Sequence, residues 1–393
     1  MYKGYLDSFY KNHPEVGNLE YREHYELLLT DSTEFVASYV NNFNMLGIKA
    51  NCVIANDLCL QNKWSTLSGM GGAKQMEVIF NQVKTQNPDV LWLDDFHKVD
   101  VELLKRIKAE LHSIRLIIGY HCSPYNSELI EKMKYTDFLI TCTSGMKENF
   151  NNLGLKCYHV YHGFDTYLLP RIENLNTYPE NSFIFSGTLL QGRRAHNERI
   201  RLITELLEAD INLSLYLNLE SNFRIKIKQI VYYLNRFSAL MKIHSLRNRL
   251  PVFEYFDTPI NNYPEIITKA NRGPVFGIDM YRLLHHSGIV LNSHGEAAGN
   301  YCGNMRMFEA TGAGACLLTE NKINIRELFE PGKEVVVYDS PDDCVEKAKW
   351  LLENEPAMKS IAEAGQRRTL KDHAVEKRCS QMIEIIEYEL KKR

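Results

Sequence analysis

Residues 289–320 read IVLNSHGEAAGNYCGNMRMFEATGAGACLLTE. An apolar run from Ile289 to Leu291 gives way to a polar loop. Helix-period residues then extend from Asn304 through Glu309 to Gly312 and Gly314, and a second apolar run follows from Ala315 to Glu320. Strand, loop, helix and strand in that order make a parallel βαβ unit. The start of its helix suits an anion, because unpaired backbone N–H groups and the positive end of the helix dipole coincide there. Asn304 and Arg306 stand at that start. Glu309 follows about one turn later, where a carboxylate can accept hydrogen bonds from both ribose hydroxyls. Gly312 and Gly314 permit close approach of backbone or ligand, or else simply cap the helix.

The same alternation continues on both sides. Helical periodicity over residues 24–47 ends at Gly47 and leads into an expected strand, KANCVIAN, at 49–56. Further strands are expected at 89–95, 115–122, 137–143 and 156–165, with helices at 73–85, 101–111, 127–135 and 144–154. Residues 166–182, TYLLPRIENLNTYPENS, lack periodicity and read as a linker. A second series follows, with strands at 182–187, 212–218, 289–294, 315–320 and 334–339. The fold class is therefore α/β, with a first Rossmann-like domain at 1–168, a linker at 169–181, a second such domain at 182–375, and a C-terminal helix at 376–393 expected to pack back on the first.

The totals agree with two domains: 393 residues are enough for two buried cores. A net charge of -3 argues against general nucleic-acid binding. Nine cysteines without a C-x-x-C pair or a zinc-like Cys/His spacing indicate neither a disulfide framework nor a metal. Free thiols and the absence of a basic-then-apolar leader in Met1–Gly17 point to the cytoplasm. Residues 222–250 carry seven Lys or Arg and no acid, with apolar residues at Ile227, Val231, Leu234, Phe237 and Met241. Such a basic amphipathic helix either contacts an anionic membrane or acidic acceptor, or packs its stripe on its own domain.

Other candidates lie at strand ends, where open α/β sheets bind ligands. Gly187, Gly192, Arg193 and Arg194 follow the 182–187 strand, and paired arginines there can neutralise a diphosphate and stabilise it as a leaving group. His121 follows the 115–122 strand and is placed to orient or deprotonate a hydroxyl. Asp94, Asp95 and His97 follow the 89–95 strand on the same side; two adjacent aspartates are weak evidence for a metal, and none is assigned.

The motifs YLDSFYKNHPEVGNLEY, GYHCSP, YHGFD, SGTLLQGRRAHN, NMRMFEATGAGACLLTE, LFEPGKEVVVYD and IAEAGQRRTLKDH, in this order, resemble the GT-B glycosyltransferases and within them the spore-maturation CgeB-like group. The resemblance implies two facing Rossmann-like domains with an interdomain cleft, a nucleotide-diphosphate-sugar donor, no tightly bound cofactor and no required divalent metal. It implies Glu309 at the donor ribose, Asn304 near the phosphates, Arg193 or Arg194 at the diphosphate, and His121 near the transferred sugar. The acceptor it leaves open is a glycan, a protein or a lipid-linked molecule. Two departures stand out. Related retaining enzymes carry a second acid eight residues before the ribose acid, but that position is Tyr301 here, so Glu296, in the loop after His294, is the expected substitute. The family also begins with a complete strand and glycine loop before the YLDSFY region, so a missing or shortened first strand is expected. Two rival readings share the architecture: a nucleotide-sugar epimerase or hydrolase, and a non-catalytic binding or coat-assembly protein.

Overall fold

A computed structural model describes residues 1, 3–33, 35–173, 182–192, 195–240 and 258–393. Its described residues build two parallel sheets. The first holds β1 (Val90–Leu93), β2 (Leu116–Tyr120), β3 (Phe138–Thr141) and β4 (Cys157–His159), side by side in chain order. The second holds β5 (Ser182–Leu189), β6 (Leu213–Leu219), β7 (Ser287–Leu291), β8 (Cys316–Glu320) and β9 (Val336–Tyr338), in the order β6-β5-β7-β8-β9.

Both sheets are covered on both faces, which is why their strands read as nearly continuous apolar runs. In the first sheet Ile117 and Leu139 pack with Phe80, Leu104 and Phe150 on one side. Leu116, Ile118, Phe138 and Ile140 alternate with them and pack on the other side against Tyr39 and Phe43. Val375, Cys379 and Met382 of the last helix, Val375–Lys391, complete this second face. The second sheet divides in the same way: Phe183, Leu215, Ile289 and Leu318 face one core, and Ile184, Tyr216, Val290 and Leu317 the other.

Where the chain leaves the first domain it meets its own return. Phe164 N–H donates to His373 O (2.9 Å), and Val375 N–H donates to Phe164 O (3.0 Å). The Phe164 ring fills the space above Gly312, where a Cβ would lie 2.2 Å from it. Gly312 is thus needed for packing between segments.

Three expectations change. The 49–56 stretch forms no strand, because side chains satisfy its backbone. Tyr25 Oη accepts from Cys52 N–H and donates to Cys52 O, Asn44 bonds both Ala50 N–H and Ala50 O, and Gln61 Nε2 donates to Ile54 O. The periodic stretch 24–47 is two helices, Tyr21–Asp31 and Phe35–Met45, separated by an extended Ser32. The basic helix spans Asn222–Leu240, while residues 241–250 of that expectation, Met241 included, lie outside the described residues. Its stripe does not pack inward along its length: Ile225 is buried, but Ile227, Leu234 and Phe237 are exposed.

Replacing Gly312 by Ala should lower stability by about 1–3 kcal/mol through overpacking against Phe164. Thermal melting of Gly312→Ala checks this, and the loss should shrink in a Phe164→Ala background.

Candidate functional site

The second sheet changes winding direction between β5 and β7, and in such sheets the crevice beyond the strand ends at this switch point receives ligands. The end of β5 and the loop after β7 are fastened together by one residue. Arg199, on the helix Asn197–Glu208, donates from its guanidinium to Thr188 O (2.9 Å) and to Ser293 O. Burial draws this guanidinium down to about 10, still charged at neutral pH. Glu296 adds a second tie: its carboxylate accepts from Asn197 N–H (2.7 Å), Glu198 N–H (3.2 Å) and Asn197 Nδ2 (3.2 Å). A carboxylate at a helix N-terminus is favourable by dipole and by hydrogen bonding. The geometry therefore gives Glu296 a capping role and does not aim it as a stand-in for the acid absent at position 301. Tyr301 instead packs across the domain seam, where a Cβ on Gly145 would lie 2.7 Å from its ring.

The helix Met305–Ala313 starts beside this crevice with Asn304 as its N-cap, and no side chain caps it. Asn304 Nδ2 donates to Asn292 Oδ1 (2.8 Å), while Asn304 Oδ1 is buried without a hydrogen-bond partner. Unbonded helix N–H groups beside an orphan carbonyl oxygen form a place prepared for a polar ligand, since leaving such a group unpaired costs about 1–3 kcal/mol. Asn292 is itself held by Thr319 Oγ1 (2.9 Å) through its Nδ2 and by Tyr338 Oη (3.0 Å) at its carbonyl.

Several expected residues serve this frame. His294 is buried, with Nδ1 and its backbone N–H on Glu320 Oε2 and Nε2 3.4 Å from Met307 Sδ. Burial holds its pKa below the usual histidine range. Glu309 is also buried; Oε1 accepts from Tyr281 Oη (3.2 Å) and Oε2 pairs with Arg306 (3.0 Å). Gly314 ends the helix in the left-handed conformation, φ 97°. Gly187 lies within β5 and Gly192 in the loop after it. Arg193 and Arg194 lie outside the described residues.

The first-domain candidates gather at the ends of β1 and β2. Asp94 is exposed, yet surrounding protein pushes its carboxyl up to about 6. Asp95 accepts from His97 N–H (2.8 Å) and caps the short turn Phe96–Lys98, so its role there is local. His121 is buried among the rings of Phe96, Tyr125 and Phe150, with Nε2 3.2 Å from Ser123 Oγ. Burial keeps it neutral to lower pH.

Arg199, Asn292, Tyr281 and Glu320 escape a reading of the sequence because each has a partner 26 to 94 residues away along the chain. A further trio also escapes it. The ligand atoms of Cys122, Cys142 and His162 all lie within 4.8 Å of one another. Motif spacing does not reveal this trio because these residues follow β2, β3 and β4 in turn, so the sheet rather than a short motif unites them. Burial resists ionisation of Cys122, but hydrogen bonds with Cys142 and His162 hold its thiol well below the usual range. The same hydrogen bond, and burial, push Cys142 up.

Residues 240–384 match the family described as glycosyl transferase-like. No curated protein matches the chain. Among solved structures, the chain is similar to the sucrose-phosphate synthase of Thermosynechococcus elongatus, with 9% identity over 88% of this chain and 82% of that one, at a TM-score of 0.51. It is also similar to HepE of Anabaena, solved with UDP and glucose, with 14% identity over 79% and 82% at 0.49. A glycosyltransferase from Rickettsia africae aligns at 12% identity over 90% and 88% with a TM-score of 0.47. The fold is the two-domain GT-B architecture. No helix among the described residues is long and apolar enough to cross a membrane.

His196, in the loop after β5, supplies a pH test. Its Nδ1 accepts from Leu190 N–H (3.1 Å), and burial lowers its pKa from 6.5 to about 3. The unfolded chain therefore takes up a proton that the folded chain refuses. This contribution to stability is complete above about 6.5 and is lost as pH falls toward about 3. Melting temperatures measured between these limits should fall with pH, and less steeply in His196→Asn, which keeps an acceptor and cannot titrate.

Proposed function

We propose that the chain is a glycosyltransferase that takes a sugar from a nucleotide-diphosphate-sugar donor held at the β5/β7 crevice. The observation that supports this most is the uncapped start of the Met305–Ala313 helix with the orphan Asn304 Oδ1 beside it. The family match over residues 240–384 includes this segment and supports the same reading. In it, the helix N–H groups receive the diphosphate end of the donor and Asn304 Oδ1 accepts from a hydroxyl of the donor, with Arg193 or Arg194 adding charge to the departing group. Glu309 receives the ribose: Tyr281 Oη makes on Oε1 the same neutral O–H contact that a ribose hydroxyl would make. Arg306 orients Glu309 through the other oxygen.

Transfer forms a bond from the acceptor oxygen to the anomeric carbon and breaks the bond from that carbon to the diphosphate. The nucleoside diphosphate leaves with the electron pair, and the acceptor hydroxyl loses its proton. Asp94 is the proposed proton acceptor, because it is open to solvent at a strand end whereas His121 is buried with its Nε2 beside Ser123. Helix N–H groups and arginines can stabilise the diphosphate without a divalent ion, so donor binding independent of magnesium belongs to the proposal.

The acceptor side includes the basic helix. Phe223, Ile230, Tyr233 and Phe237 are 57–72% exposed, interleaved with exposed Arg224, Lys226 and Arg236. Exposed aromatic and basic groups on one helix suit an anionic lipid surface, so peripheral membrane contact and a lipid-linked acceptor are proposed.

The test is a thermal-shift screen against UDP, GDP, CDP, TDP and ADP with their common sugars, with and without magnesium. One nucleotide should stabilise the wild type, and Asn304→Ala and Glu309→Ala should each weaken its binding about tenfold or more. Loss of both Arg193 and Arg194 should lower turnover more than affinity. Absence of stabilisation by any nucleotide sinks the reading in favour of a non-catalytic protein, and conversion of the donor without an acceptor favours an epimerase or hydrolase. Sedimentation with anionic vesicles, but not neutral ones, should be lost when Phe223 and Phe237 are both replaced by Ser.

A further inference from the structure

We infer that Cys122 Sγ, Cys142 Sγ and a ring nitrogen of His162 form a binding site for a thiolate-seeking divalent metal ion, zinc above all. Two sulfurs and an imidazole are a borderline-soft donor set that zinc favours. As thiolates the two cysteines balance the charge of a dication, so the occupied site is neutral in a partly buried place. In a tetrahedral zinc site, bonds of about 2.0–2.3 Å set ligand atoms roughly 3.4–3.8 Å apart. The three atoms already lie within 4.8 Å of one another, so small side-chain rotations close the set.

The scaffold is rigid and repeats. Each ligand follows its strand by a few residues and lies 20 positions after the previous one, from 122 to 142 to 162, so consecutive strand–helix units deliver them to one end of the sheet. Neighbouring groups already orient them. Cys142 N–H donates to Cys122 Sγ (2.7 Å), and Thr141 Oγ1 lies 3.5 Å from the same sulfur. Tyr120 Oη stands 3.1 Å from His162 Nε2 and 3.3 Å from Nδ1, and Arg378 Nε donates to His162 O (3.0 Å). Outer partners that fix a histidine ring are a usual feature of metal sites.

Cys142 and His162 are 5% and 6% exposed and Cys122 is partly buried, so protein closes the site on most sides. Three protein ligands with one open position are the arrangement of zinc that binds a further ligand, a water or an acceptor oxygen, rather than of zinc that only staples a fold. The site also adjoins the second domain: a Cβ on Gly303 would lie 2.7 Å from Cys142 O, and Gly303 immediately precedes Asn304. The inference does not rest on the glycosyltransferase reading, since its ligands belong to the first domain and its donor set does not suit a magnesium–diphosphate complex.

Protein purified under reducing conditions, analysed for metal by plasma emission, should retain about one zinc per chain. After chelation, titration with Co(II) should produce thiolate-to-cobalt charge-transfer absorption with tetrahedral d–d bands, and added zinc should abolish both. Cys122→Ser and His162→Ala should each lower affinity at least about 100-fold, and Tyr120→Phe by about 10- to 100-fold. Cys316→Ser, a buried cysteine of β8, should bind cobalt as the wild type does. Wild-type protein without zinc or charge-transfer absorption overturns the site whether or not the variants fold. So does undiminished binding by Cys122→Ser, or a Cys122–Cys142 disulfide, detected as a mass loss of two hydrogens, in protein that takes up no cobalt.

Discussion

The backbone pairing of Phe164 with the returning chain is the constraint that joins the two domains. Here an outgoing segment and an incoming one lie side by side, each supplying hydrogen bonds to the other, while the Phe164 ring seats against Gly312. Because the wedge presses on the helix that begins at Asn304, the domain junction and the proposed donor site share a single element. The residues after Ala374 then cover the face of the first sheet that the Phe35–Met45 helix only partly fills. The first domain does not enclose its core without chain contributed from beyond the junction.

Inside the second domain, buried and half-buried polar groups hold the loops at the switch point. Arg199 bridges two strand ends, Glu296 caps the helix that carries Arg199, and Glu320 holds His294 by ring and backbone together. Each such charge costs desolvation on burial and recovers it only through several directed contacts. Such contacts fix loop positions more narrowly than apolar packing would, and the frame leaves Arg199 Nε and Asn304 Oδ1 without partners.

Much of the fold was legible in the sequence. β1, β2, β3, β5, β6 and β8 stand where apolar runs bounded by polar residues place them, because a sheet covered on both faces needs such runs. The 49–56 stretch misled for a physical reason: Cys52, Val53 and Ile54 have strand propensity, but Tyr25, Asn44 and Gln61 take the hydrogen bonds a neighbouring strand would need. The site was legible in part. The helix start at Asn304 is a local property and can be seen in residues 289–320, whereas its lack of a side-chain cap emerges only in the structure. The capping task of Glu296, the burial of His121 and the meeting of Cys122, Cys142 and His162 depend on distant segments and have no local signature.

The side-by-side crossing at Phe164 has a mechanical consequence. Two connections set far apart would lock the domains like a plate fixed by two bolts. Two connections paired at one spot act as a single pin, which permits rotation and resists sliding. Displacement then grows with distance from the pin, so surfaces far from Phe164 would separate more than those beside it.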